Sequence, residues 1–217
     1  MQIHSDLTKR AVVDTNGLDW VPSPMAGVER RMLERDGGEV ARATSLVRYA
    51  PGSAFSAHAH DLGEEFLVLD GVFSDESGDF PAGMYVRNPP GSSHVPSSAP
   101  GAVILVKLRQ MEPYDDTFVR INTGDDTGWQ DGRPGEKLLP LFVRPAEEVV
   151  MLDWDAGTSF ADTVLTGGAE YFVVSGSFSD DAGTYPAGTW LRLPPGSRQK
   201  ITTATGARVW RKTGHLA

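Results

Sequence analysis

His58 and His60 stand two residues apart, Glu64 follows four residues after His60, and His94 lies thirty residues beyond Glu64. On a strand the i, i+2 spacing turns two side chains to the same face, so the two rings can converge on one point. Glu64 comes next across a turn at Asp61-Leu62-Gly63, and His94 folds in from a later hairpin. Neutral imidazole nitrogens with one carboxylate form a borderline donor set suited to Zn, Fe, Mn, Ni or Cu. With Cys 0 there is no thiolate ligand, disulfide or cysteine nucleophile, so nitrogen and oxygen must hold any metal. The expectation is one divalent ion on His58, His60, Glu64 and His94, Zn or Fe first, with Mn or Ni as alternatives. A single histidine in a strand is usually a core or surface residue; four donors in register carry the argument. His4 and His215, near the termini, are assigned no role. No catalytic group beyond the ligands is assigned.

Holding such donors requires short strands and tight turns, and the rest of the chain reads that way. Gly 24 and Pro 15 punctuate short apolar runs, the pattern of an all-β protein. Strands are expected over residues 43–49, 64–70, 84–88 and 103–108, and again over 149–154, 171–175, 189–193 and 208–212. The second set follows from an internal repeat. Gly71-Val-Phe-Ser-Asp75 returns as Gly176-Ser-Phe-Ser-Asp180, Phe80-Pro-Ala-Gly83 as Tyr185-Pro-Ala-Gly188, and Arg87-Asn-Pro-Pro-Gly-Ser92 as Arg192-Leu-Pro-Pro-Gly-Ser197, all displaced by 105 residues. Two small barrels or jelly rolls in tandem fit this pattern, which protects strand edges. The expected domains are residues 1–112, carrying the metal site, and 113–217. Residues 111–135, rich in Asp, Gly and Pro, read as a linker or long surface connection, with Asp115, Asp116, Asp125 and Asp126 as solvated loop acids.

The repeat also supplies a control. At the same displacement His58, His60, Glu64 and His94 become Thr163, Leu165, Ala169 and Gln199, so every donor is replaced. The second barrel is therefore expected to bind no metal by this route. Glu65 and Arg87, in contrast, persist as Glu170 and Arg192. Residues kept where the metal is lost belong to architecture, so Glu65 is read as structural and as a partner for Arg87. Tyr49, Phe55, Phe66, Met84 and Tyr85 are read as packing residues around the site.

Charge and hydropathy remove whole classes of function. Asp+Glu 29 against Lys+Arg 20 gives a net charge of −9 and no basic stripe for a phosphate backbone, so no nucleic-acid partner is expected. No stretch approaches the roughly 18 to 20 apolar residues of a membrane span, and residues 1–10 are too polar for a signal-peptide core. A cytoplasmic protein with a small-molecule ligand or substrate is expected.

Gly52, five residues, His58-x-His60, three residues, Glu64, six residues and Gly71 resemble the first signature motif of the cupins; Gly83, five residues, Pro89-x-Gly91, two residues and His94 resemble the second. Ser98 stands where that motif usually ends in Asn, at a position that is not a ligand. The resemblance implies an all-β fold of two tandem cupin jelly-roll barrels, a bicupin, with the second barrel degenerate. Within the cupins, Gly71-Val-Phe-Ser-Asp75 and Tyr85-x-Arg87-x-Pro89 look like the cupin domain of ChrR-type anti-sigma factors, which implies zinc on the matching three histidines and glutamate. In those regulators sigma-factor binding belongs to a separate helical domain with cysteine ligands. This chain has no cysteines, so the anti-sigma activity is not carried over. Cupin barrels commonly dimerise, which leaves a homodimer or an internal pairing of the two halves open.

Two functions of different classes follow. One is a metal-dependent enzyme, a dioxygenase on a small diketone or aromatic ketone; the other is a non-catalytic ligand-binding or regulatory zinc cupin.

Overall fold

Runs rich in Val, Ile, Leu and Phe separated by Gly, Pro and Asp become antiparallel strands throughout this computed structural model, which describes residues 1–38, 40–125 and 127–216. Among them there is no α-helix, only a 3-10 turn at Thr15–Gly17, and so no helix long and apolar enough to cross a membrane. The chain divides into two compact units, residues 1–5 with 19–124, and residues 6–18 with 125–217.

In the first unit the strands Val28–Gly37, Ala41–Tyr49, Ala102–Leu108, Glu64–Asp75, Met84–Asn88 and Val119–Asn122 lie side by side in that order, all antiparallel. A small second layer pairs Ser93–His94 with His58–Ala59. The long strand Glu64–Asp75 serves both layers. Its first part pairs with Ala102–Leu108, and past a register shift at Val103/Ile104 its end pairs with Gly78–Pro81. Gly71 sits at the bend with φ 70°, where a Cβ would lie 2.0 Å from the Gly101 carbonyl oxygen. Only glycine fits there. Phe66, Val68, Phe73, Phe80, Val86 and Ile104 fill the space between the layers, with Phe66 and Phe73 rings 4.7 Å apart.

The second unit repeats the arrangement with Glu136–Arg144, Glu147–Trp154, Ala207–Thr213, Ala169–Asp180, Thr189–Leu193 and, from the start of the chain, Ala11–Asp14. Thr163–Leu165 pairs with Ser197–Gln199 as its second layer. Its core is built on Trp154, Phe160, Tyr171, Phe178 and Leu191.

The observed strands cover all eight expected ones, two with the same bounds and six extended by one to seven residues. Two features of the linker reading are corrected. Residues 111–135 are not a plain surface connection, because Val119–Asn122 pairs with Met84–Asn88 as a strand of the first unit. Asp115 is not a solvated acid either: it is 3% exposed, and its carboxylate receives Arg87 Nη2 at 2.6 Å. Asp126 lies outside the described residues. Compared with a divide between residues 112 and 113, the structure moves Val119–Asn122 into the first unit and Ala11–Asp14 into the second, since each supplies the strand beyond the Met84–Asn88 or Thr189–Leu193 edge.

On the other face of each main sheet lies a buried polar layer. Glu65 accepts from Tyr85 Oη at 2.7 Å and Arg87 Nη1 at 3.1 Å, the pairing expected from the repeat. In the second unit Glu170 accepts from Trp190 Nε1 at 2.8 Å. His215, given no role from sequence, is buried beside the same carboxylate, its Nε2 2.5 Å away.

Candidate metal centre

His58 and His94 are directly opposed Cα partners in the short antiparallel pair His58–Ala59 with Ser93–His94. Opposed residues project to the same side, and their ring centroids are 4.8 Å apart. The ladder continues to His60, whose backbone N–H donates to Ser92 O at 2.9 Å and whose carbonyl accepts from Gly91 N at 2.8 Å. His60 therefore keeps the facing of His58, with its ring 5.1 Å from His58 and 4.6 Å from His94. The turn after His60 passes through Gly63, at φ 75°, where a Cβ would strike the Met111 side chain at 2.2 Å. That tight passage returns the chain so that Glu64, the first residue of the central strand, faces the rings. Its Oε2 is 3.4 Å from His60 Nε2 and 3.5 Å from His94 Nε2.

The hydrogen bonds of the rings settle which nitrogen faces inward. His58 Nδ1 is 2.9 Å from Ser56 O, a pure acceptor, so it carries the proton. His94 Nδ1 is 3.2 Å from the Asp75 carboxylate, again an acceptor. His60 Nδ1 is 3.0 Å from Ser92 Oγ, and that hydroxyl already donates to Pro89 O at 2.6 Å, leaving it to accept from the ring. All three rings thus present Nε2 lone pairs to the centre. Two of these, on His60 and His94, are buried without a hydrogen-bond partner. Orphaned buried acceptors of this kind call for a ligand.

Electrostatics point the same way. Burial, reinforced by the charges His94 and His58 would carry, pushes His60 down to about 3. Burial likewise lowers His94, against the pull of Asp75. Burial pushes Glu64 up to about 7, against a hydrogen bond from Asn88. The pocket is thus unfavourable both to imidazolium and to a bare carboxylate. A divalent cation answers both requirements. The four donor atoms all lie within 4.8 Å of one another. Metal–ligand bonds of about 2.0–2.2 Å place tetrahedral neighbours about 3.4 Å apart, matching the Glu64 separations. Among the described residues this is the one such group found.

Several supporting residues were not singled out from sequence. Asn88 Nδ2 donates to Glu64 Oε2 at 3.3 Å, and Arg120 Nη2 holds the Asn88 carbonyl oxygen at 2.7 Å, which fixes the amide the right way round. Arg120 comes from Val119–Asn122, inside the stretch read as linker. Asp75 and Ser92 lie in the repeated motifs, and the only available signal was their retention as Asp180 and Ser197.

The site opens into a cavity of about 460 Å³. His58, His60 and Glu64 contribute to its wall, together with apolar side chains that include Met25, Val47, Phe55 and Ile104. In the second unit Thr163 and Gln199 are Cα partners as His58 and His94 are. There Tyr171, the counterpart of Phe66, sends its hydroxyl to Gln199 Oε1 at 2.7 Å. A tyrosine–glutamine hydrogen bond takes the place of the cluster of candidate donors.

A family model of the ChrR cupin-like domain matches residues 8–112 and again residues 118–217. Among solved structures, a candidate dioxygenase from Nostoc punctiforme aligns over 94% of this chain and 82% of its own, with TM-score 0.79 and 14% identity. Salicylate 1,2-dioxygenase from Pseudoaminobacter salicylatoxidans, crystallised as adducts with gentisate, aligns over 99% of this chain and 83% of its own, at TM-score 0.69 and 12% identity. The Escherichia coli pirin YhhW in complex with nickel(II) aligns over 94% and 98%, at TM-score 0.68 and 13% identity. At these identities the likeness is one of fold. No curated protein sequence matches.

Proposed function

Since both halves place this chain in the ChrR cupin-like family, to which it belongs, we propose that its first barrel is a metal-dependent oxygenase site for a small organic molecule bearing a diketone or aromatic ketone. His58, His60 and His94 hold the metal through Nε2 and Glu64 through its carboxylate. The observation that carries this reading is the position of the donors: they converge at the wall of a cavity large enough for a small molecule, rather than inside closed packing. A site meant only to brace the fold has no need of such access. A divalent iron ion, when bound, supplies Lewis acidity and access to O₂ chemistry.

The chain's own residues do the rest. Ser56 O, Ser92 Oγ and Asp75 fix the three rings in the ligating tautomer. Asn88, held by Arg120, orients the Glu64 carboxylate. Met25, Val47, Phe55 and Ile104 exclude water and seat the apolar part of the substrate. The second barrel contributes no ligands of this kind, consistent with a supporting role.

A second reading, a zinc cupin that binds a ligand without turnover, is favoured by the near-tetrahedral spacing of Glu64 to His60 and His94. Elemental analysis of protein purified without chelators, beside His58→Ala, tests both. One equivalent of iron, lost in the variant, with O₂ uptake on diketones or aromatic ketones supports the oxygenase. One equivalent of zinc with no uptake supports the binding protein, and no metal in either protein refutes the site.

A further inference from the structure

The strand Val28–Gly37 carries four consecutive side chains, Val28 to Arg31, that alternate between the two sides of the sheet. Those facing away from the core are occupied. Glu29 accepts from Arg48 Nε at 2.9 Å, and the Arg31 guanidinium lies 4.4 Å from the Trp20 ring centroid. On the inward side, Val28 is buried in the core cluster and Arg30, two residues on, lines the cavity that the metal donors share. Among the described residues the Arg30 side chain makes no hydrogen bond, ion pair or ring contact, its backbone alone being paired in the sheet. The other cavity arginine, Arg109, is already paired, its Nη1 2.7 Å from Asp61 Oδ2.

The repeat shows what this position becomes where the four donor side chains are replaced. Arg30 is the Cα partner of Val47. Val47 corresponds through the 105-residue repeat to Leu152, whose partner is Leu138. Leu138 packs against the core of the second unit. The inward cation has therefore been replaced by an apolar side chain in the same half that lost all four donors. Arg87, by contrast, persists as Arg192 in both halves. By that comparison Arg30 goes with the site and not with the scaffold.

A guanidinium presented into a largely apolar cavity offers a planar fork of donors that matches a carboxylate in bidentate fashion. We infer that the cavity binds a small organic carboxylate, whose acid group pairs with Arg30 and whose apolar body lies among Met25, Val47 and Phe55. The cavity volume of about 460 Å³ accommodates a single aromatic ring with its substituents. The inference rests on the proposed metal-site reading for the direction in which the rest of the molecule points, but the Arg30 contact stands apart from it.

The test is calorimetric titration of the full chain with acetate, pyruvate, benzoate and salicylate, and with neutral benzamide as the uncharged match to benzoate. Arg30→Met, Arg109→Met and the metal-ligand variant His58→Ala are titrated alongside, with metal content measured in each. We expect at least one carboxylate to bind, benzamide to bind more weakly than benzoate, and Arg30→Met to weaken carboxylate binding about 10–100-fold at unchanged metal content. Arg109→Met should stay within a factor of about three. Carboxylate binding that depends on Arg30 in a protein without metal keeps this inference and removes the oxygenase reading. Absence of binding by every carboxylate, equal affinity for benzamide and benzoate, or equal losses in Arg30→Met and Arg109→Met overturns it.

Discussion

Replacing Asp75 by asparagine is expected to weaken metal binding by about 10–100-fold, although the substitution is isosteric and replaces none of the four proposed donors. Asp75 Oδ1 accepts from the Ser77 backbone N–H at 2.8 Å and from Ser77 Oγ at 2.5 Å, while Oδ2 faces His94 Nδ1 at 3.2 Å. These bonds outweigh the burial that would raise its pKa and hold the carboxyl below its ordinary value. An asparagine has one acceptor oxygen for these three donors. If that oxygen stays with Ser77, the amide NH₂ meets His94 Nδ1, and the ring must move its proton to Nε2, where it blocks ligation. If the amide turns over, both Ser77 donors lose their acceptor. The metal-free protein can rest in the first arrangement without loss, so the penalty of about 1–3 kcal/mol falls on the metal-bound state. Competition against a chromophoric zinc chelator reads the change directly. Asp180→Asn is the matched control, because Asp180 faces Gln199 Nε2 at 3.5 Å instead of a histidine. Zinc affinity within a factor of about two of the parent in Asp75→Asn, or an equal loss in Asp180→Asn, refutes the argument.

Arg120→Met frees the Asn88 amide to turn away from Glu64 and should weaken zinc about tenfold in the same competition assay. Asp115→Ala leaves the Arg87 guanidinium short of one of its two buried carboxylates, so unfolding should become easier by about 3–5 kcal/mol by chemical denaturation, with metal stoichiometry unchanged in the folded protein. Burial tends to raise the Glu136 pKa, but hydrogen bonds from Arg133 and Trp154 win and hold it below its ordinary value. A lowered folded pKa stabilises above the unfolded value, near 4.5, and that contribution is lost as pH falls through the folded one. Denaturation midpoints should therefore fall less below pH 4.5 in Glu136→Gln than in the parent.

The clustering of the four candidate donors could be read from the sequence because their geometry is local: an i, i+2 pair, a tight turn, and a repeat in which all four positions change together. Glu65 and Arg87 could be separated from them by their persistence. The same rule misfiles Asp75, which is retained as Asp180 and yet holds the His94 ring, because one carboxylate both caps its own turn and reaches a candidate ligand. Arg120 and Asp115 were hidden for another reason. They sit among Asp and Gly residues that read as loop, and their partners, Asn88 and Arg87, are set by long-range strand pairing. Val28–Gly37 was not singled out as a strand because its outward residues are charged and one inward residue is Arg30, which breaks the apolar alternation.

The membership of Ala11–Asp14 in the second unit affects how the chain matures during synthesis. The edge this strand joins, Thr189–Leu193, is made roughly 175 residues after it. At about 5–20 residues per second the wait is on the order of ten to thirty seconds. Throughout it the first barrel can complete its own sheet, whose last strand ends at Asn122, while Ala11–Asp14 remains an unpaired β-segment exposed to chaperones and to neighbouring nascent chains. It also means that no single cut in the polypeptide yields two whole barrels: any break between them strands one sheet edge on the wrong fragment.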